Sequence, residues 1–424
     1  MRTIQRLLVA LSVVVLGWTA TPAHAQIYNP ALNVVGRSPG ATVLIPYFEV
    51  NLAKADGMTT VFSINNASAT AVLAHVNVMT DLGVLALGFN VYLTGYDVQT
   101  INMRDIINGI MPQTASAGQD PGDKISPHGQ VSQDINFASC NGILPTPNLP
   151  ANYTTHLKNS LTGKGTTFYG GNCVGLNYGD SVARGYVTID TVNACALLDP
   201  ANPGYAVYLT NQNVLWSDAY FLDTRNKVSR GAPVVSVAAN NANDPLVSTP
   251  GNYTFYGKYN AWTASDRRQP LATNFAARYQ KSGAFGKSSS LIVWRDPKVA
   301  GAPFTCGGSG PNFLPLAQEE IVAFDDQENP TAIGGTPFGA MAQRVVVGSA
   351  ALPVAANSGW FYLNLNTSVA AAGSNPPVDP AAAQGWVSSV LEGTGASGYS
   401  TTSPAAALDS ATNTVGSHDL VMWP

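Results

Sequence analysis

Charge is scarce in this chain: Asp, Glu, Lys and Arg make up 11% of it, against about 25% in ordinary soluble domains. The polar surface must therefore be built from Asn, Gln, Ser and Thr, with bare backbone at the 40 glycines. Basic residues are scattered, Arg267-Arg268 being the one dense spot, and phosphate contact needs basic clusters, which argues against a nucleic-acid partner. Histidine is rarer still, with five in the chain. His75, His128, His156 and His418 have no G-x-S-x-G turn to accompany them, so a hydrolase triad has no local signal. The string GAFGKS at 283–288 leaves two residues, not four, before its Gly-Lys-Ser, and a strand follows it. It reads as a hairpin turn and not as a phosphate loop.

Long apolar runs are missing too, apart from one near the start. Arg2 and Arg6 precede an apolar stretch at 7–18, then Thr21-Pro22 and the small-x-small triplet Ala23-His24-Ala25. That is the three-part layout of a secretory signal peptide, and a run of this length falls short of the ~20 residues needed to span a bilayer. The expectation is a bacterial-type export signal at 1–25, cleaved after Ala25, with the mature chain in the periplasm, at the cell surface or outside the cell. No transmembrane helix is expected in the mature chain, and evenly spaced amphipathic strands of an outer-membrane barrel are not evident. Cleavage removes two of the 21 basic residues and no acid, so 19 face 25 and the net charge moves from −4 to −6.

Cysteine is sparse, but its number is even: Cys140, Cys173, Cys195 and Cys306 all lie beyond the signal. In an exported chain without C-x-x-C or zinc spacing this reads as two disulfides. Three pairings are open. The favoured one joins Cys140 to Cys173 and Cys195 to Cys306, the first tying down a turn-rich excursion and contributing roughly 3 to 4 kcal/mol.

The sequence is rich in period-two patterning. In 71–79, Val72, Ala74, Val76 and Val78 alternate with Leu73, His75, Asn77 and Met79, and 89–96 and 58–64 behave alike. Further strands are expected at 184–190, 214–222, 234–238, 253–259, 290–294, 321–324, 344–347 and 360–365, and 386–391 reads as one last element. The predicted fold is mostly β. It comprises an immunoglobulin-like sandwich at 26–112, a loop-rich, disulfide-pinned insertion at 113–180 with one short helix at 153–161, and a larger β-sandwich at 181–392. A Gly/Ser/Thr/Ala-rich segment at 393–424 follows, and 367–385 and 393–416 read as loop or tether.

Three groups of residues could carry binding chemistry. Trp360, Tyr362 and Asn364 share one face of a strand, and flat rings beside an amide suit a sugar, whose C–H face stacks on the ring while its hydroxyls bond the amide. Trp216 with Tyr220, and Trp262, are less ordered versions. Asp325, Asp326 and Glu328 offer oxygen ligands on a loop, which suits Ca²⁺, the one candidate cofactor; Asp120 and Asp123 are a weaker pair. Acids at 319–328 could also serve as a glycosidase acid and base.

The strings Ser63-Ile64-Asn65-Asn66-Ala67-Ser68-Ala69-Thr70, Phe89-Asn90-Val91-Tyr92-Leu93-Thr94-Gly95-Tyr96-Asp97-Val98 and Leu291-Ile292-Val293-Trp294-Arg295-Asp296 resemble a family of uncharacterised exported bacterial proteins. The resemblance implies a self-contained exported module and no particular activity, cofactor or site. The expected role is a non-catalytic surface, matrix or periplasmic binding or structural component, its partner a glycan or another surface protein. The alternative is a carbohydrate-active protein, as a sugar-binding module or a glycoside hydrolase. The oligomeric state is open.

Overall fold

Alternating side chains make strands, and short turns between them make antiparallel sheets. The computed structural model describes residues 38–112, 148–195, 198–202, 204–239, 254–256, 259, 267–269, 271–282, 288–296, 300–307, 316, 318, 320–365, 384–393 and 400–408. In chain order the strands are β1 (Thr42–Asn51), β2 (Thr59–Asn66), β3 (Val72–Thr80), β4 (Leu85–Leu93), β5 (Val98–Asn102), β6 (Val182–Val192), β7 (Leu215–Trp216), β8 (Ala219–Asp223), β9 (Val228–Gly231) and β10 (Val235–Val237). There follow β11 (Asn274–Gln280), β12 (Ser288–Asp296), β13 (Glu320–Asp325), β14 (Pro330–Ala332), β15 (Ala342–Val346), β16 (Ser358–Asn364), β17 (Gln384–Glu392), β18 (Ser400–Pro404) and β19 (Ala406–Ala407). Helices α1 (Met103–Ile107) and α2 (Ala151–Leu161) interrupt them.

These strands form four antiparallel sheets. Sheet one runs β5-β2-β8-β9, with β7 also on β2; sheet two runs β10-β1-β6-β3-β4; sheet three runs β15-β12-β17-β18; sheet four runs β14-β13-β16-β11-β19. The protein is thus mostly β, with a sandwich-like arrangement of sheets. Three apolar layers hold the sheets in that order. Val43, Ile45, Phe48 and Val50 of β1 meet Phe62 and Ile64 of β2, closed off by Ile106 of α1 and Leu157 of α2. On the other face of sheet two, Leu44, Tyr47 and Tyr186 pack with Ile292, Trp294, Trp386 and Val390 of sheet three. Leu291, Val293 and Val387 then face Phe275, Phe361 and Leu363 of sheet four. Sheets two and three are covered on both sides, and sheets one and four each turn one side outward.

A single inserted residue in β1 directs chemistry to the middle of this stack. Ile45 pairs with Val187 but Phe48 with Gly185, a bulge at Pro46-Tyr47. Proline has no N–H for the ladder and suits such a place, and the extra residue exchanges the two faces of the strand. Tyr47 and Glu49 are thereby aimed at sheet three, while Phe48 and Val50 stay with the first core. Gly185 makes the crossing possible, since a Cβ there would lie 2.0 Å from the Met79 carbonyl oxygen.

Several expectations are corrected by contacts across the chain. β6 and β7 to β10, expected in a later domain beginning at 181, pair within sheets one and two, and β6 lies between β1 and β3. The described part of 253–259 is turn, not strand: Phe255 and Tyr256 are buried plugs, with Phe255 stacked 5.7 Å from Trp294. β18 and β19 pair with β17 and β11 inside the stretch expected to be a tether, because the open edges of those strands supply ladder partners. The strands flanking 283–287 belong to different sheets, so the connection is a crossover between layers and not a hairpin. The loop itself, like 1–25, Asp120, Asp123, His128, Cys140, Trp262, Glu319 and His418, lies outside the described residues.

Cys173 bonds to Cys306, which corrects the favoured pairing. A bridge from Cys140 would tie down the turn-rich excursion, but paired backbone bonds between Cys173 and Phe304 bring residue 306 alongside. The bridge joins the segment after α2 to the segment after β12. Cys195 is also disulfide-bonded.

Candidate functional site

On β16 the inward residues Phe361 and Leu363 are fully buried, while Trp360 and Tyr362 on the other face are half-buried. Sheet four is outermost, so this second face is turned away from the stack. β16 is flanked by β13 and β11, which set Phe324 and Arg278 on either side of Trp360, and Val322 and Ala276 on either side of Tyr362. Phe324 and Trp360 stack with centroids 4.2 Å apart and planes 8° from parallel. Gly359 enables this register: its φ is 152°, and a Cβ would fall 1.9 Å from the Phe324 carbonyl oxygen. Asn364, between Asn274 and Glu320, is buried and not displayed beside the rings. The platform is thus Phe324, Trp360, Tyr362 and the exposed Arg278, of which the sequence pattern gave Trp360 and Tyr362. Phe324 and Arg278 come from neighbouring strands, and strand pairing alone places them there.

The three acids expected to bind calcium lie at the β13–β14 turn. Asp325 Oδ1 accepts from the backbone N–H groups of Gln327 and Asn329, each at 2.9 Å, and Oδ2 accepts from the Asn329 side chain. These bonds, led by Asn329, hold the Asp325 carboxyl below its usual range. Asp326 accepts from the Ser358 hydroxyl, and Glu328 has a φ of 63°. Asp325 therefore shapes the turn, and among the described residues no group of three or more His, Cys, Asp or Glu side chains is placed to hold a metal. Glu320 lies at the far end of β13, about 17 Å from Asp325 at ~3.4 Å per residue. Glycosidase carboxyl pairs lie within about 10 Å, so these two cannot form one.

The densest chemistry is internal. At the junction of sheets one, two and three, Glu49 lies 3.4 Å from both Arg230 and Arg344, and Glu392 lies 3.3 Å from Arg230 and 2.8 Å from Arg344. Burial and the neighbouring Arg344 lower the Arg230 pKa. Burial would raise the Glu392 carboxyl, but the Ser288 hydroxyl and both guanidiniums hold it low. A second cluster centres on Asp190, which accepts from Thr42, Tyr205 and Tyr256 and lies 3.4 Å from Arg268, all at no more than 4% exposure. The two histidines within the described residues are interior groups. His75 pairs with Asn90 at 2.9 Å, and His156 contacts Thr166 and the Ala86 carbonyl; burial lowers both pKa values.

Among the described residues no helix is long and apolar enough to cross a membrane. No protein-family model, curated protein or solved structure matches the chain. The resemblance to exported bacterial proteins accordingly rests on its three strings alone.

Proposed function

We propose that the protein is an exported, non-catalytic binding or structural component whose contact surface is the outward face of sheet four, and that its ligand class is a glycan. The observation that carries this reading is the Phe324–Trp360 stack with Tyr362 beside it, presented outward by a strand whose other face fills the core. A core-filling role accounts for Phe361 and Leu363 but gives no reason for rings on the solvent side. Rings with an adjacent guanidinium donor offer stacking and hydroxyl bonding together.

The test is a glycan-array screen of residues 26–424, with and without Ca²⁺, repeated on the Trp360→Ala, Tyr362→Ala double variant. Binding that falls at least tenfold in the variant, while it keeps one cooperative unfolding transition within a few degrees of the parent, supports the reading. Equal binding by both proteins overturns it. A Ca²⁺ requirement that disappears in Asp326→Asn would return the β13–β14 turn to consideration as a cation site.

A further inference from the structure

The other outermost layer carries a second set of rings. Trp216, Asp218 and Tyr220 fall on one face by period two and are all exposed, whereas Leu215, Ser217, Ala219 and Phe221 between and beside them are buried. Pairing within sheet one builds three rows across that face: Val98–Asn65–Trp216, then Thr100–Ser63–Asp218, then Asn102–Val61–Tyr220. Trp216 is 37% and Tyr220 48% exposed. They stand about 13 Å apart at ~3.3 Å per residue, with the Asp218 carboxylate between them.

Asp218 is the one charged side chain in the three rows; the rest are amides, hydroxyls, rings and valines. The Asp218 backbone N–H bonds the Ser63 hydroxyl at 3.2 Å, and the Ser63 N–H bonds the Asp218 carbonyl at 2.9 Å, so the loop carrying the acid is fixed to β2. A third ring, Tyr96, is 53% exposed in the turn between β4 and β5, with a φ of 59°. A nearly uncharged strip with rings at both ends and one acceptor in the middle matches an uncharged, polyhydroxylated polymer in charge as well as shape. A phosphate-bearing or strongly acidic polymer would meet Asp218 with no cation in these three rows to compensate it.

We infer that the outward face of sheet one, Trp216–Asp218–Tyr220, is a second site for neutral polysaccharide, so that the protein bridges two polymer strands from opposite ends of its four-layer stack. The bridging part rests on the sheet-four reading; the sheet-one site does not. Two sites on a rigid body raise apparent affinity for a polymer beyond that of either alone.

The experiment uses the mature chain with three soluble neutral probes, a β-glucan, a galactomannan and a dextran, reading affinity-gel retardation and turbidity. Variants are Trp216→Ala with Tyr220→Ala, Asp218→Asn, and Trp360→Ala with Tyr362→Ala. The expected result is turbidity with the wild type on at least one probe, lost in either ring variant, while each ring variant keeps weakened retardation, down about tenfold or more. Asp218→Asn, which removes only an exposed charge, weakens retardation without moving the thermal midpoint. If the sheet-one ring variant or Asp218→Asn binds and cross-links like wild type, the sheet-one site is overturned. If only the sheet-one variants lose binding, the site stands, while the sheet-four reading and bridging both fail. No binding to any probe overturns both sites. Concentration-dependent self-association without polymer, abolished by the sheet-one ring variant, overturns the proposal in favour of a second copy docking there.

Discussion

In β3, within sheet two, every residue from Val72 to Thr80 is buried, whereas along the whole of β11 in sheet four buried residues alternate strictly with less buried ones. The middle sheets bury polar side chains as well as apolar ones: His75 and Asn77 on β3, Thr188 and Asp190 on β6, Ser289 and Ser290 on β12. The outer sheets also expose a face, on which Arg278, Asp218 and Tyr220 are exposed and Trp360 and Tyr362 half-buried. The difference teaches where alternation can be trusted. On an outer strand the second face is a true surface, so Trp360 and Tyr362 are displayed; on a middle strand the same alternation conceals a second interior, held by hydrogen bonds and ion pairs in place of water.

The middle should therefore fail harder than the edge when perturbed. The largest effect is expected from the Cys173→Ser, Cys306→Ser double variant, because the bridge joins positions 133 apart in sequence. Loop-closure entropy for that span gives about 5 kcal/mol, seen as a lower denaturant midpoint than the oxidised parent. An unchanged midpoint would mean that the middle layers need no covalent tie.

Asp190→Ala is expected to cost about 4 kcal/mol, since it leaves Arg268 and two tyrosine hydroxyls facing an emptied, dry site. A loss below about 1 kcal/mol in urea unfolding would show that water fills that site. Asp190→Asn, which keeps one acceptor oxygen and the side-chain volume but removes the charge facing Arg268, should lie between.

Asp81 gives the comparison a pH axis. It sits at the β3–β4 turn, where its carbonyl accepts from the backbone N–H groups of Met341 and Ala342, at the start of β15, and its carboxyl accepts from Leu176 N–H and the Tyr178 hydroxyl, each at 3.1 Å. Burial pushes its pKa from 3.8 up to about 7. A carboxyl raised in the fold adds stability that is complete below its unfolded pKa and is lost as pH rises through the folded one. The Asp81 contribution thus declines between about pH 4 and pH 7, by roughly 4 kcal/mol at most. Glu392 and Asp180, held low, run the opposite way, their contribution disappearing as pH falls. The observable is the stability difference between Asp81→Asn and wild type, which should move in the variant's favour across that window; a flat difference would place Asp81 in contact with water.

The smallest effect separates the two faces of one strand. Phe361→Ala should cost about 3 to 4 kcal/mol by emptying the third core, and Trp360→Ala, next to it, about 1 kcal/mol. Equal costs in thermal unfolding would mean that the Trp360 face is as much interior as the Phe361 face.

Much of this was legible beforehand, and the failures share a cause. Val72, Ala74, Val76 and Val78 declare β3, and Phe361 with Leu363 declare the buried side of β16, because a strand shows its inward face every second residue. The residues that complete the platform, Phe324 and Arg278, stand 36 and 82 positions before Trp360 and are brought beside it by strand pairing alone. Pro46 in an otherwise apolar run was a usable sign of the bulge that turns Glu49 toward Arg230 and Arg344. The partners of Glu49 were not readable, since a network joining β1, β9, β15 and β17 has no local pattern. The Ala/Ser/Thr stretch that forms β18 looked like a tether because its order comes from the free edge of β17 and not from its own side chains.

The sequence by itself determined that the chain is β-rich, poor in charge, and supplied with alternating strands whose inward faces are apolar; these properties depend on neighbours one to four residues apart. Tertiary structure alone decided that β6 enters sheet two, that Cys173 meets Cys306, that Asp190 and Glu49 gather charged partners, and that sheets one and four keep a side open. Those outcomes depend on which strand edges meet and which faces are covered. Pairing energy is much the same for many candidate edges, so only the packing of all four layers together selects among them.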